Sequence, residues 1–218
     1  MKASSLAVLA RGQHWIAVDK PSGLSTVAPP GGDSLERRLR EQLPEVVYLT
    51  AVHRLDRPVS GVVLLALSKR AARLLSAQFE SRKVQKRYHA CLSGHWPSRQ
   101  SVWEDDLVKR PKEARVDIVA AGTPEAKRAV TRVALDHYDP TLDRTSVWLS
   151  PLTGRMHQLR VQAASRGYPI VGDRLYSAES VSSVEAEKDQ IALRAIELTF
   201  FDPRNGRRTT VNAAPNID

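Results

Sequence analysis

The sequence predicts an α+β protein whose central sheet is largely antiparallel. Segments of alternating apolar and polar residues follow one another directly along the chain, most clearly at residues 84–92. Few segments have the spacing of an amphipathic helix, and proline and glycine separate the segments as turn residues do. Strands that outnumber helices favour this class over a regular alternation of strand and helix.

The first predicted elements are a strand and a helix. Residues 15–18 are typical of a buried strand, and the turn composition of residues 20–23 ends it. Asp33 and Glu36 are spaced as in a capping box, so we expect a helix to begin there. Pro44 ends that helix. Its apolar stripe consists of Leu35, Leu39 and Leu43.

Two strands and a second helix follow. The apolar run 62–67 indicates a buried strand, and Ser68 is placed to cap a helix directly after it. The apolar stripe of this helix is Ala71, Leu75 and Phe79. Residues 84–92 form the next strand, in which Tyr88 shares its face mainly with apolar neighbours.

The second half is predicted to be mostly strands. Residues 97–127 suggest hairpins with exposed basic loops, and residues 129–135 and 145–149 are typical of strands. A helix is predicted from about Arg155 to Gly167. The remaining segments are a surface loop at 177–187 and strands at 191–201 and 209–211.

Composition indicates a globular protein with a basic surface. The 218 residues are 42% hydrophobic, enough for one substantial core, and we predict a single domain over residues 1–218. The 33 Lys and Arg exceed the 24 Asp and Glu, for a net charge of +9, which favours a polyanionic partner such as nucleic acid.

The apolar runs and the cysteine content limit the compartment and the partners. Every apolar run is far shorter than the roughly 20 residues that cross a bilayer, so we expect no membrane partner. The stretch before Arg11 is too short for a secretory signal. The single cysteine, Cys91, suits a reducing compartment, and we predict a cytoplasmic protein.

Asp56 is the first candidate for chemistry. It lies between Arg54 and Arg57, immediately before a predicted turn and the apolar strand. Positive charge close to a carboxylate holds it ionised, which is what a nucleophile or base requires. The alternative is a structural ion pair at the edge of a strand.

A second candidate is Arg160, within a stretch that is too polar for an ordinary amphipathic helix. On a helix Arg160 lies one turn from Met156 and His157, near Ala164. Its guanidinium could point inward at a buried anion or outward to solvent.

Three segments in this order resemble a known family. They are His53-Arg54-Leu55-Asp56 with Ser60-Gly61, then Lys86-Arg87-Tyr88, then residues 154–160 with Gly172-Asp173. Together they resemble the RluA family of RNA pseudouridine synthases, and residues 20–24 and 193–203 fit as well.

The resemblance implies a fold and a reaction. The fold is a mixed, largely antiparallel, bent central sheet flanked by helices and loops, with the catalytic cleft across the sheet. The reaction isomerises uridine to pseudouridine in rRNA or tRNA, with neither metal nor organic cofactor. The resemblance assigns the essential carboxylate to Asp56, a ring against the target uracil to Tyr88, and the salt-bridge partner of the carboxylate to Arg160.

RNA is therefore the expected partner, and a monomer the expected state. A stacked base cannot reach a carboxylate in a cleft, so the target nucleotide must be flipped out. Arg54 is the candidate to fill the gap, with His53 beside it; a salt bridge elsewhere is the alternative for Arg54. The further candidate RNA contacts are Lys20, Lys86, Arg87, Arg155 and His157.

The sequence departs from the family pattern at three positions. Val59 stands where the family usually has Thr, Met156 where Thr or Ser is common, and Gln162 where His is frequent. These changes bear on substrate tuning and leave the reacting residues in place. Many relatives also carry an N-terminal accessory RNA-binding domain, which we do not expect before Trp15.

The sequence leaves two alternatives to this function. His-Arg-Asp sequences occur in protein kinases, but Leu55 interrupts that order and no glycine-rich phosphate loop precedes it. The stronger alternative is a non-catalytic RNA-binding or RNA-remodelling protein that uses the same basic groove. The presence of Asp56, Tyr88 and Arg160 argues against it.

Overall fold

The computed structural model describes residues 5–177 and 190–215. These residues fall into two compact units, unit 1 (residues 5–86 and 195–215) and unit 2 (residues 87–177 and 190–194). The single catalytic domain predicted over 1–218 stays a prediction. The surface loop predicted at 177–187 lies outside the described residues except for Ser177.

The chain forms the following elements in order. The strands are β1 (Ala7–Arg11), β2 (Trp15–Lys20), β3 (Thr50–Ala51), β4 (Ser60–Ala66), β5 (Gln85–Ser93), β6 (Gln100–Lys109), β7 (Val116–Val119), β8 (Lys127–Asp139), β9 (Arg144–Pro151), β10 (Leu193–Phe201) and β11 (Arg208–Asn212). The helices are α1 (Leu35–Gln42), α2 (Lys69–Glu80) and α3 (Gln158–Ser165).

Unit 1 is built on the strand order β1-β2-β4-β10, with β3 beside β4 and β11 beside β10. β2 and β4 pair antiparallel from Trp15 opposite Ala66 to Lys20 opposite Gly61. Both strands are buried on both faces, as their apolar composition requires. Helix α2 lays Ala71 and Leu75 on this sheet. The rest of that core includes Trp15, Leu64, Leu198, Phe200 and Val211.

Unit 2 is built on the strand order β5-β9-β8-β6-β7, and its described pairings are antiparallel. Along β9, buried residues alternate with half-buried ones, which fits a sheet with one covered face. Helix α3 packs on β6 and β7. A cluster of Leu107, Val116, Ala129 and Val161 fills the space beneath it.

The predicted α+β class is confirmed, since strands outnumber the three helices in the part of the chain that the structure describes. Ser68 caps α2 as predicted, because its hydroxyl accepts from the amide of Ala71. The predicted capping box at Asp33 is wrong. The hydroxyl of Ser34 caps α1 by accepting from the backbone amide of Arg37, while Asp33 forms a salt bridge with Arg38. β1 was not anticipated, since its apolar residues do not alternate with polar ones.

Helix α3 begins three residues later than the sequence suggests, at Gln158. His157 precedes it in the left-handed region, at φ 51°, and offers no capping side chain. Within the described ranges, no helix has the length and apolar character needed to cross a membrane.

Candidate active site

Asp56 sits in the loop between β3 and β4, which we call the Asp56 loop (residues 52–59). Its side chain is half-buried. Its carbonyl oxygen accepts a 3.0 Å hydrogen bond from the amide of Val59, which closes a tight turn just before β4. A backbone hydrogen bond within the loop thus fixes the conformation at Asp56.

Thr26 bonds to both backbone groups of Leu55, the residue before Asp56. Its hydroxyl donates to the carbonyl of Leu55 at 3.0 Å and accepts from the amide of Leu55 at 3.1 Å. Thr26 is 2% exposed and Leu55 is 6% exposed, so water does not compete for these groups. One side chain therefore satisfies both backbone groups of the residue that precedes the carboxylate.

The residues after Asp56 are held by the segment that follows β2. The carbonyl of Arg57 accepts from the amide of Gly23 at 2.9 Å and from the ammonium of Lys20 at 3.2 Å. The carbonyl of Pro58 accepts from the hydroxyl of Ser22 at 2.6 Å. Residues 20–26 thus bind the backbone of the Asp56 loop on either side of the carboxylate, an arrangement that preorganises a reacting group.

Lys20, a predicted RNA contact, is buried within unit 1. It is 0% exposed, and its ammonium also donates to the carbonyls of Pro21 and Leu24, at 2.9 and 2.6 Å. An ammonium has three donors, and three backbone carbonyls use them. Lys20 cross-links two loops, and a contact with RNA phosphate would require breaking those bonds.

His53, another predicted RNA contact, is held within unit 1. Its ring stacks on Phe79 with a centroid distance of 4.7 Å, and its Nε2 accepts from the amide of Leu64 at 3.0 Å. Burial first, and then the charge of Lys86, lower the pKa of His53 to about 3. The ring is therefore neutral at pH 7, with its proton on Nδ1, and it anchors the start of the Asp56 loop to β4 and α2.

Arg54 and Lys86 are the other predicted RNA contacts in unit 1. Arg54 is exposed, as a wedge against RNA requires. Lys86 is half-buried, and burial lowers the pKa of its ammonium to about 8. A cation that has lost part of its hydration gains more from a nearby anion than one in bulk water.

Gly61, in the Ser60-Gly61 pair that follows the loop, is required by backbone geometry. Its φ is +112°, and a Cβ at this position would lie 2.1 Å from the carbonyl oxygen of Ala195 in β10. No other residue fits without moving one of the two strands.

Arg160 in α3 points inward, which was one of the two orientations that the sequence allowed. Its Nε and Nη2 donate to the two carboxylate oxygens of Asp173 at 2.7 and 2.8 Å. The side chains of Arg160 and Asp173 are only 6% and 1% exposed. The pair is bidentate, a geometry that fixes the guanidinium plane. Asp56 and Arg160 belong to different units, and the salt bridge predicted between them stays a prediction.

Tyr176 completes the surroundings of Arg160. The Arg160 guanidinium lies 5.4 Å from the centre of the Tyr176 ring. The Tyr176 hydroxyl bonds to the amide of Val116 and to Nδ1 of His157, each at 3.0 Å. His157, predicted to contact RNA, is thus engaged with a neighbouring side chain.

Tyr88 and Arg87 lie on opposite faces of β5, as the alternation predicts. Tyr88 is half-buried and pairs with Leu149 of β9. Arg87 places its guanidinium 4.1 Å from the centre of the Trp148 ring. Arg87 therefore cannot share a strand face with Tyr88. Arg155 is half-buried, with its Nε bonded to the carbonyl of Arg128.

The three departures from the family pattern lie in packed positions. Val59 is 3% exposed, and Met156 packs against the core under α3. Gln162 is 0% exposed; its amide accepts from Thr131 and donates to Asp105, both at 2.7 Å. Within unit 2, Gln162 bonds α3 to the sheet.

The sequence did not indicate the structural roles of three residues around Asp56 and Arg160, namely Thr26, Asp173 and Tyr176. Thr26 sits in an unremarkable loop and gives no local signal. Asp173 stood in a quoted motif, where an acid next to a glycine turn could have been matched to the inward option for Arg160.

Comparison with known proteins places the chain in a family. The family model described as RNA pseudouridylate synthase matches residues 14–165. The dual-specificity RNA pseudouridine synthase RluA of Haemophilus influenzae is 35% identical over 95% of this chain and 92% of that protein. Ribosomal large subunit pseudouridine synthase C of Vibrio cholerae is 32% identical over 92% of this chain, which spans only 62% of that protein.

Solved structures agree with the sequence comparison. Human RNA pseudouridylate synthase domain containing 1 superposes with a TM-score of 0.80 at 28% identity, over 98% of this chain and 86% of that one. Human RNA pseudouridylate synthase domain containing 4 has the same fold, with a TM-score of 0.75 at 24% identity. The chain belongs to the RluA-type RNA pseudouridine synthases, isomerases that convert uridine to pseudouridine in RNA.

Proposed function

We propose that this protein isomerises a specific uridine in structured ribosomal or transfer RNA, with Asp56 as the catalytic carboxylate. The observation that carries the proposal is the fixed backbone around Asp56, where Thr26, Lys20 and Ser22 bond the residues on either side of it. A carboxylate that must meet one atom of a flipped nucleotide needs such a scaffold.

The reaction exchanges one glycosidic bond for another. The bond between N1 of uracil and C1′ of ribose breaks, the base turns, and C5 bonds to C1′. The proton on C5 leaves and N1 gains one, so no oxidant or reductant is needed. Attack of Asp56 on the sugar, attack on the base and removal of a sugar proton all require the same ionised carboxylate.

Other side chains are proposed to position the nucleotide. Tyr88 would contact the uracil ring, a type of contact that contributes about 1 to 3 kcal/mol per stacked base. Arg160, oriented by Asp173, would serve as the salt-bridge partner of Asp56. Arg54 would fill the space left by the flipped base, because a planar cation can stack on the neighbouring bases.

The substrate class follows the names of the relatives. One is named for the large ribosomal subunit and another for dual specificity toward RNA. We therefore propose rRNA or tRNA as the substrate. We also propose that the protein acts as a monomer, without a metal, in the cytoplasm, the compartment that suits its single cysteine.

The decisive test is the Asp56→Asn variant. The protein and the variant are incubated with total RNA, and pseudouridine is quantified by mass spectrometry. We expect new pseudouridine with the parent and none with the variant, because the amide keeps the shape and removes the negative charge. Affinity for RNA should change little.

Two outcomes would count against the proposal. Equal modification by parent and variant would remove Asp56 from the reaction. RNA binding by both proteins with modification by neither would favour the non-catalytic RNA-binding alternative. Mapping the modified position in RNA from cells lacking the protein would then identify the uridine.

A further inference from the structure

Helix α2 of unit 1 carries a group of cations on its exposed side. Lys69, Arg70 and Arg73 are all exposed. At 100° per residue these three residues lie within an arc of about 100°. The buried residues Ala71 and Leu75 lie on the opposite side of the helix. We call the three cations the α2 cationic face.

The α2 cationic face is not neutralised by the protein. Throughout residues 5–177 and 190–215, none of its three cations forms a salt bridge. The three arginines of α1 behave differently, since each bonds to an acid. Those pairs are Arg37 with Glu41, Arg38 with Asp33, and Arg40 with Glu36. The only carboxylate of α2 is Glu80, its last residue.

The arrangement on α2 is unfavourable for the folded protein alone. Lys69 and Arg70 occupy the first turn of the helix, where no acidic residue is present and the helix dipole disfavours positive charge. Lys69 and Arg73 are four residues apart, a spacing at which like charges repel. An anionic partner would relieve both effects.

The surface beside the first turn is concave. A depression of about 600 Å³ has Lys69 of α2 and the two preceding residues, Leu67 and Ser68, on one wall. Its lining also includes Arg11, Glu45 and Tyr48. Arg11 lies 3.5 Å from Glu45, so Lys69 is the unpaired cation on the wall of the depression. A ridge of sugar and phosphate could enter it beside the α2 cationic face.

Strand β4 separates this surface from Asp56. Asp56 lies just before β4 begins at Ser60, and α2 begins just after β4 ends at Ala66. A strand rises about 3.3 Å per residue, so the two ends of β4 are about 20 Å apart. RNA bound at Lys69, next to the end of β4, would therefore lie a few nucleotides from a uridine at Asp56.

We propose that the α2 cationic face binds the phosphate backbone of the substrate RNA, away from the target uridine. The proposal rests on the proposed function, since it takes RNA as the substrate. The contact adds affinity without reading sequence, because phosphates are the same at every nucleotide.

The test replaces all three cations, as Lys69→Gln, Arg70→Gln and Arg73→Gln together. With a long structured RNA, we expect the affinity at about 0.1 M salt to fall about ten- to hundred-fold. The slope of log affinity against log salt should shrink by about 2 to 3, at 0.7 to 0.9 per phosphate contact. KM should rise while kcat at saturating RNA stays the same. Arg70→Gln alone should shrink the slope by about 1.

The matched control removes the same charge from α1, as Arg37→Gln, Arg38→Gln and Arg40→Gln together. It should bind RNA nearly as the parent does, because those arginines are already paired with acids. A second arm uses a short hairpin that holds the target uridine in its loop and extends less than about 20 Å from it, the separation of the two ends of β4. On this hairpin the α2 variant and the parent should have equal affinity.

The outcomes separate this proposal from the proposed function. A parent protein that forms no pseudouridine would defeat the proposed function itself. With an active parent, unchanged binding by the α2 variant would overturn the inference. Equal losses in the α1 and α2 variants would also overturn it, by showing an effect of net charge alone. An equal loss on the short hairpin would overturn the proposed distance from the target.

Discussion

At the scale of single residues, the Asp56 loop depends on polar side chains that bond to its backbone. Thr26 satisfies the amide and the carbonyl of Leu55, and Lys20 and Ser22 hold the carbonyls that follow Asp56. Buried polar groups are costly when they lose their partners. These side chains therefore affect both the stability of the loop and the direction of the carboxylate.

Replacing Thr26 tests this role. Thr26→Val keeps the volume but leaves the amide and carbonyl of Leu55 unsatisfied, which should destabilise the protein by about 1 to 3 kcal/mol. Displacement of Asp56 should lower kcat by about ten- to hundred-fold, with little change in RNA affinity. Thr26→Ser retains the hydroxyl and should restore kcat. Single-turnover assays and chemical denaturation measure both effects; a Val variant with parental kcat would show that the hydroxyl is dispensable.

His53 predicts a specific pH dependence of stability. Its pKa is about 3 in the folded protein, against an ordinary value of 6.5. Between about pH 3 and pH 6.5, His53 therefore binds more protons in the unfolded chain than in the folded chain, so acid favours unfolding. This contribution to stability is complete above pH 6.5 and is lost progressively as the pH falls toward 3.

The His53→Gln variant isolates that contribution. Glutamine does not titrate, so its free energy of unfolding should fall less between pH 6.5 and pH 4 than that of the parent. Denaturant unfolding at a series of pH values provides the measurement. Parallel curves for the parent and His53→Gln would contradict a ring that stays neutral in the folded protein.

At the scale of elements, α3 is held by charge and hydrogen bonds as much as by apolar packing. Leu159 and Val161 are buried, but so are Gln158, Arg160 and Gln162. Buried polar side chains lie on several sides of the helix, which is why its sequence shows no clear apolar stripe. The pair between Arg160 and Asp173 links α3 to the turn that follows Gly172.

Breaking that pair should destabilise the fold strongly. Asp173→Asn preserves size but leaves the buried guanidinium without its charged partner, a change that typically costs about 3 to 5 kcal/mol. Chemical denaturation should show a lower midpoint with an unchanged slope. Asp33→Asn is the matched control, since its bond to Arg38 is exposed and should contribute little. Similar losses in the two variants would argue against a special role for burial.

Strands and helices could be predicted where the sequence has a clear apolar periodicity. Strand β5 and helix α2 were foreseen because the alternation at 84–92 and the stripe of Ala71 and Leu75 are local patterns. The start of α3 was placed too early because residues 155–157 are not helical, and no capping side chain marks the boundary. β1 lacked alternation and was missed.

At the scale of the whole molecule, family and reaction were recoverable from three short segments. The family model covers residues 14–165, which include Asp56, Tyr88 and Arg160. The chain spans most of the RluA of Haemophilus influenzae but 62% of the synthase C of Vibrio cholerae. The net charge of +9 agrees with an RNA substrate. The exposed cations on α2 supply part of this positive charge at the surface, where RNA phosphates could contact it.

The sequence by itself determined the fold class, the family, the candidate carboxylate and most strands and helices, because periodicity and motifs are written in short windows of residues. The tertiary structure alone decided how polar side chains are used. Thr26 meets Leu55 across 29 residues, and Lys20 meets Arg57 across 37. The neutral ring of His53 and the buried ammonium of Lys20 are two such features. Hydrogen-bond partners and burial arise between distant parts of the chain, and only folding brings those parts together.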